Sequence, residues 1–167
     1  MSFNVKKTVS FVLAVALILV SSGCGFKLRG DYLLAPELQT LYVSSVDKHG
    51  ELTRLVRQHL SQNQVMIVKS FSKDIPELRI LKDKLDRRTL SVFPNGQVAE
   101  YELIYTVKYQ IRFANEENQS FTFEINRDYQ DDPDLALAKS RELSLILREM
   151  RQESADKILR NMATIKR

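Results

Sequence analysis

The chain has 167 residues, with 25 Lys and Arg against 21 Asp and Glu and a single cysteine. One cysteine excludes an internal disulfide, so core packing must hold the fold. A formal charge of +4 is too small and too dispersed for a nucleic-acid-binding surface, which needs basic residues gathered on one face.

The N-terminus has three parts. Lys6 and Lys7 supply positive charge, Phe11 to Val20 is an unbroken apolar run, and Ser21, Ser22 and Gly23 are small residues suited to signal-peptidase cleavage. This is the layout of a secretory signal. The run of ten apolar residues is too short to cross a bilayer core, which takes ~20. Cys24 follows directly, as the lipidated cysteine of a bacterial lipobox does, although Ser21 stands where that motif usually carries Leu. Gly25, rather than Asp, follows the cysteine, which in enteric-type sorting directs a lipoprotein to the outer membrane. More than one acyl chain makes such a tether stable, at ~0.8 kcal/mol per buried CH₂. The expected organisation is a cleaved signal at 1–23, a lipidated tether at 24–36 and one periplasmic domain at 37–167. Loss of Lys6 and Lys7 lowers the mature charge to +2, and 144 of the 167 residues remain, enough for one core.

Leu38 to Val43 reads as a strand. Asp47 to Gln62 reads as a helix capped by Asp47, with Leu52, Leu55, Val56, His59 and Leu60 on one face of a 3.6-residue period. Val65 to Val68 is a second short strand, and strand, helix and strand with brief links predict a right-handed βαβ unit. Leu78 to Leu85 alternates loosely, and Thr89 to Phe93 resumes the extended pattern. Pro94-Asn95-Gly96-Gln97 is a turn, because Pro presets φ and Asn-Gly tolerates positive φ. From Tyr101 to Phe113 every odd position is apolar or aromatic, and only Ile104 breaks the polar set between them. That strand has one buried and one wet face. Asn115 to Gln119 turns the chain, and Phe121, Phe123 and Ile125 mark another strand. A long helix follows, with Asp132 as cap, Pro133 at its first position, and Leu143, Leu147, Met150, Ile158 and Met162 as its apolar stripe. The order β-α-β-β-β-β-α predicts an α+β two-layer sandwich, with two helices on one face of a mainly antiparallel four- to five-stranded sheet.

No catalytic constellation is present. His49 and His59 do not share a helix face as a metal pair would. His59 reads as a packed, hydrogen-bonded residue. No G-x-S-x-G, H-E-x-x-H or P-loop occurs. Asp131, Asp132 and Asp134 read as capping residues rather than a calcium ladder. No cofactor or metal is expected. Arg87 and Arg88 lie in a stretch that reads either as a solvated strand and turn or as a contact for phosphates, which guanidinium forks fit bidentately. Lys139 reads as an exposed lysine near the start of the last helix. The tyrosine-rich strand reads as core, with edge pairing as the alternative.

Three stretches carry a family resemblance. Cys24-Gly25-Phe26-Lys27-Leu28-Arg29-Gly30, Phe93 to Tyr101, and Asp132 to Lys139 resemble the mature start, the hairpin with its following strand, and the opening of the last helix in the LPS-assembly lipoprotein LptE (rare lipoprotein B) family. Element order and spacing agree over the whole mature chain. The resemblance implies a non-enzymatic outer-membrane lipoprotein that plugs the lumen of the LPS-assembly β-barrel LptD, assists its folding, and helps deliver lipopolysaccharide to the outer leaflet. It also implies lipopolysaccharide binding through basic residues at the hairpin turn and the start of the last helix. Lys139 matches the second position. Pro94 occupies the first, and Arg87 or Arg88 lies slightly earlier in the same region. The competing readings are a free-standing periplasmic lipid carrier, which needs a sizeable apolar cavity, and a tethered hydrolase, which lacks its constellation.

Overall fold

The computed structural model describes residues 34–165. The expected signal segment, Cys24 and nearly all of the expected tether lie outside the described residues. Within them, a 3₁₀ turn at Pro36–Leu38 leads into β1 (Thr40–Ser45), α1 (Glu51–Gln62), β2 (Met66–Val68), β3 (Glu77–Val92), β4 (Val98–Arg112) and β5 (Asn118–Gln130). A second 3₁₀ turn at Pro133–Leu135 opens α2 (Ala136–Thr164). The strands form one sheet in the order β2-β1-β3-β4-β5. β1 pairs in parallel with β2 and β3, whereas the long β3–β4 and β4–β5 ladders are antiparallel. The α+β expectation with two helices against a mostly antiparallel sheet therefore holds, and the parallel pairs follow from the helical crossover between β1 and β2.

The alternation of β4 decides where the core lies. Leu103, Tyr105, Val107, Tyr109 and Ile111 are each 0–1 % exposed, and β4 lies between β3 and β5, so its ladder is satisfied on both sides. α1 adds Leu52, Leu55, Val56 and Leu60 to the same cluster; α2 adds Met150, Ile158, Leu159 and Met162. Leu34 also joins this cluster, upstream of the 3₁₀ turn. The helices lock to each other through polar pairs. His59 Nδ1 lies 2.9 Å from Asp156 Oδ1, as expected of a packed histidine, and Arg151 donates to Glu51 at 2.5 Å.

Several local expectations need correction. Asp47 is not the cap of α1: Gly50 is, and the Asp47 carboxylate instead accepts from the His49 amide at 3.1 Å, closing a turn ahead of the helix. Asp132 does cap, accepting from the Asp134 amide, but it opens the 3₁₀ turn, and α2 begins at Ala136. β3 runs unbroken over 16 residues. It carries register shifts between Ile80 and Lys82 and between Thr89 and Ser91. The first shift has a large consequence. Before it, Leu78 and Ile80 point to the helices. After it, Asp83, Leu85 and Arg87 do, because they pair with the core residues Val107, Tyr105 and Leu103, and directly paired residues share a sheet face. A one-residue bulge thus inverts the phase of the strand.

The β3–β4 connection is a tight turn. Gly96 donates to Phe93 O at 2.9 Å, Phe93 donates to Gln97 O at 2.8 Å, and Gly96 has φ +85. Pro94 and Asn95 fill the two central positions, and Gly96 takes the left-handed conformation that other residues enter at a cost. At the opposite end, Arg112 donates to the carbonyls of Ser72, Lys73 and Ile75. Those bonds fasten the β2–β3 loop to the end of β4.

Candidate functional site

The basic residues singled out in the sequence fall on two faces. Arg88 pairs across the ladder with Glu102 and forms an ion pair with it at 2.5 Å. Asn126 donates to the other Glu102 oxygen at 3.0 Å, so this group belongs to the face away from the helices. Arg87, one residue earlier, lies on the helix-facing side opposite Leu103. Its guanidinium sits 5.8 Å from the centroid of the Tyr101 ring, a cation–π contact. It has no ion-pair partner among the described residues. Tyr101 pairs in turn with Tyr129 on β5.

Tyr129 ties the start of α2 to the sheet. Its hydroxyl donates to the Lys139 carbonyl at 2.9 Å, and the Lys139 ammonium lies 5.4 Å from the Tyr129 ring centroid. The same ammonium donates to Glu142 at 2.9 Å, one helical turn on. A continuous row results: Arg87, Tyr101, Tyr129, Lys139, from β3 across β4 and β5 to α2. The electrostatics agree with this order. Burial and then Asp131 push the Tyr129 phenol above its usual pKa, while the charges of Lys139 and Arg87 pull it back. The hydrogen bond to Glu142 raises the Lys139 ammonium above the ordinary lysine value, so Lys139 is a firm cation. A cleft of about 430 Å³ lies beside Tyr129 and Lys139, lined also by Leu90, Glu100, Asp128, Gln130 and Glu142.

Apolar surface surrounds these cations. Leu90, Val92 and Phe93 on the hairpin, and Leu135 and Leu137 at the opening of α2, are all exposed, Leu137 at 81 %. Both segments lie at the same end of the sheet, because the Asp131 amide donates to Ala99 O at 2.9 Å. The buried residues of α2 all lie from Met150 onward, so its first half is the less buried half. Cations beside exposed aliphatic groups suit an amphiphile with an anionic head. Among the described residues no group of His, Cys, Asp and Glu could hold a metal, and no helix is long and apolar enough to cross a membrane. Sequence reasoning missed Tyr129, Tyr101 and Glu142 as parts of this row. The signal for Glu142 was its three-residue spacing from Lys139.

The family model for lipopolysaccharide-assembly LptE matches residues 38–162. The chain belongs to the LptE family. Among curated relatives, the LPS-assembly lipoprotein LptE of Pectobacterium atrosepticum is 38% identical over 157 residues, covering 93% of this chain and 85% of the relative. The LPS-assembly lipoprotein LptE of Yersinia enterocolitica is 38% identical over 149 residues, covering 89% and 72%. Among solved structures, rare lipoprotein B from Shewanella oneidensis superposes with a TM-score of 0.70 at 52% identity, over 75% of this chain and 94% of that one. A lipoprotein B from Nitrosomonas europaea, at 22% identity over 83% of this chain and 90% of that one, shares the fold with a TM-score of 0.68. The LptE family is a non-enzymatic one of lipopolysaccharide assembly, and this chain is a lipoprotein of that family.

Proposed function

We propose that this LptE-family chain is an outer-membrane lipoprotein, tethered through Cys24, that seats in the lumen of the LPS-assembly barrel LptD and receives lipopolysaccharide there. Arg87 and Lys139 contact the phosphates of the lipid. The observation that carries the lipid contact is the convergence of these two cations, from β3 and α2, on one tyrosine-bridged row beside exposed leucines. Arg87 supplies a guanidinium that no carboxylate among the described residues holds, and Lys139 supplies an ammonium that exchanges Glu142 for a phosphate. Two cations placed so compete with the divalent ions that bridge neighbouring lipid A phosphates. Arg88 plays no part in this reading, because Glu102 on the other face already holds it.

The seat in a barrel draws support from membership of the family and from the surface away from the helices. There β4 and β5 present Glu102, Thr106, Gln110, Ser120 and Glu124 in cross-strand hydrogen bonds. A free-standing carrier is less well supported. Of the two clefts described, the larger, about 760 Å³, is open and places Lys48, Arg54, Arg57 and Lys69 beside Val43, Ile67 and Val68, so it is not the wholly apolar cavity a carrier needs. Purification of the full chain from outer membrane under mild detergent tests the seat. Stoichiometric recovery of a large β-barrel is expected, and recovery of the chain alone contradicts the proposal. Replacing Cys24 with Ala is expected to accumulate unprocessed precursor. Normal processing and membrane retention of that variant contradict the tether.

A further inference from the structure

A second basic site stands at the other end of the sheet. The larger cleft opens outside the carboxyl ends of the parallel strands β1 and β2, where α1 begins. Lys48 and His49 enter it from the turn before α1, Arg54 and Arg57 from α1, and Lys69 from the residue after β2. Among the described residues no carboxylate lines it. The acids nearest in sequence are engaged: Asp47 accepts from the His49 amide, Glu77 accepts from Ser44, and Glu51 holds Arg151 while its other oxygen lies 3.7 Å from Arg54. Lys48 and Lys69 are exposed and have no ion-pair partner among the described residues.

We propose that this cleft binds a phosphate-bearing anion. Of the four permanent cations around a space of about 760 Å³, only Arg54 has an acid partner among the described residues, Glu51 at 3.7 Å, so a net positive field remains, and cleft walls focus such a field. The donors match the ligand. Arg54 presents a guanidinium fork, Lys48 and Lys69 present mobile ammonium groups, and forked donors fit phosphate oxygens. Arg57 already donates one amino group to Val43 O at 2.9 Å, which fixes it to β1 and leaves its remaining donors for the cleft. Gly50 makes no side-chain cap bond, so the first amides of α1 add partial positive charge to the same space. Ser45 pairs with Ile80, whereas the first site uses Arg87 on the same strand. That is about 20 Å away at ~3.3 Å per residue. The two sites are separate, and this one does not depend on the function proposed above.

The test is calorimetry on the full chain at physiological salt, with inorganic pyrophosphate and, separately, dihexanoyl phosphatidic acid. Dihexanoyl phosphatidylcholine is the control. Saturable one-to-one binding is expected for at least one phosphate probe. It should weaken at least ~tenfold in the Lys48→Ala, Arg54→Ala, Lys69→Ala variant, which leaves the structural Arg57 in place, and stay unchanged in Arg88→Ala, whose side chain is held by Glu102 on the far face. Binding of pyrophosphate identifies a free phosphate as ligand, and binding of the phosphatidic acid alone identifies a lipid headgroup; either supports the site. Absence of binding to both probes overturns the proposal, as does binding that the triple variant retains. An unchanged melting temperature in the triple variant shows that lost binding is not lost folding.

Discussion

Tyr129 joins the fold to the proposed lipid contact, and two substitutions there separate its two jobs. Its hydroxyl donates to the Lys139 carbonyl at 2.9 Å, and its ring carries the Lys139 ammonium at 5.4 Å. Tyr129 is 4 % exposed. Tyr129→Phe keeps the ring and removes one hydrogen bond. The loss is about 1 kcal/mol, the net worth of a neutral bond in a protein. For a domain of this size that lowers the melting temperature by roughly 3–5 °C. Tyr129→Ala removes the ring as well, leaves a cavity under the start of α2, and costs about 3 kcal/mol or more. Urea unfolding followed by far-UV circular dichroism measures both. Lipopolysaccharide affinity, measured on the same proteins below their melting temperatures, should fall slightly in the first variant and steeply in the second, because only the second releases Lys139 from the sheet. Equal destabilisation by the two variants, or full affinity in Tyr129→Ala, refutes the claim that the ring positions the lysine.

Other expectations follow from the same contacts. Glu142→Gln frees the Lys139 ammonium and should raise lipopolysaccharide affinity several-fold in a direct titration, and a decrease would show that Glu142 orients rather than occupies the lysine. Arg112→Leu strips three carbonyls at the β2–β3 loop of their donor and should cost about 2–4 kcal/mol in urea unfolding. Tyr105, Tyr109 and Tyr129 all have pKa values raised above 10.0, chiefly by burial, and Tyr105 also through its bond to Asp83. A raised folded value means that these phenols stabilise the fold fully below the unfolded pKa and cease to do so as pH climbs through the folded values. Stability should therefore be flat in this respect to about pH 10 and fall above it. Spectrophotometric titration should show these phenolates appearing together with unfolding, and their ionisation at ordinary pH values in a folded protein would contradict the burial argument.

The sequence exposed most of the architecture because two patterns were strong. Alternation from Tyr101 to Phe113 marked β4, and burial follows it residue by residue through Leu103, Tyr105, Val107, Tyr109 and Ile111. The Pro94-Asn95-Gly96 turn was legible because its chemistry is local. What failed was non-local. β5 extends to Gln130, although Arg127 interrupts its alternation, because the ladder with β4 continues through Glu102↔Asp128 to Glu100↔Gln130. Asp47 looked like a cap, but the turn it closes places Gly50 at the start of α1. The apolar stripe of α2 does pack on the core from Leu143 to Met162, but full burial begins only at Met150 and also takes in Ser154, Ala155 and Leu159. Only the packing partner determines that.

The candidate site was legible as residue types and not as geometry. Arg87 and Arg88 are indistinguishable in sequence. The bulge after Ile80 decides that Arg87 faces the helices and Arg88 faces Glu102. Leu81 falls out of phase with Leu78 and Ile80 and was the visible trace of that bulge. Lys139 carried a local sign of Glu142 but none of Tyr129, which reaches it only through the β5–α2 turn.

The account rests on Arg87 and Lys139 acting as a pair on one face while Arg88 stands apart. Titration of lipopolysaccharide into the purified wild-type chain, the Arg87→Ala, Lys139→Ala double variant and Arg88→Ala tests this directly. The double variant is expected to lose about 2 kcal/mol or more of binding, the worth of charge-assisted contacts to phosphate, with stability nearly unchanged. Arg88→Ala is expected to bind as the wild type does. Equal losses in the two proteins, or no loss in the double variant, would contradict the account.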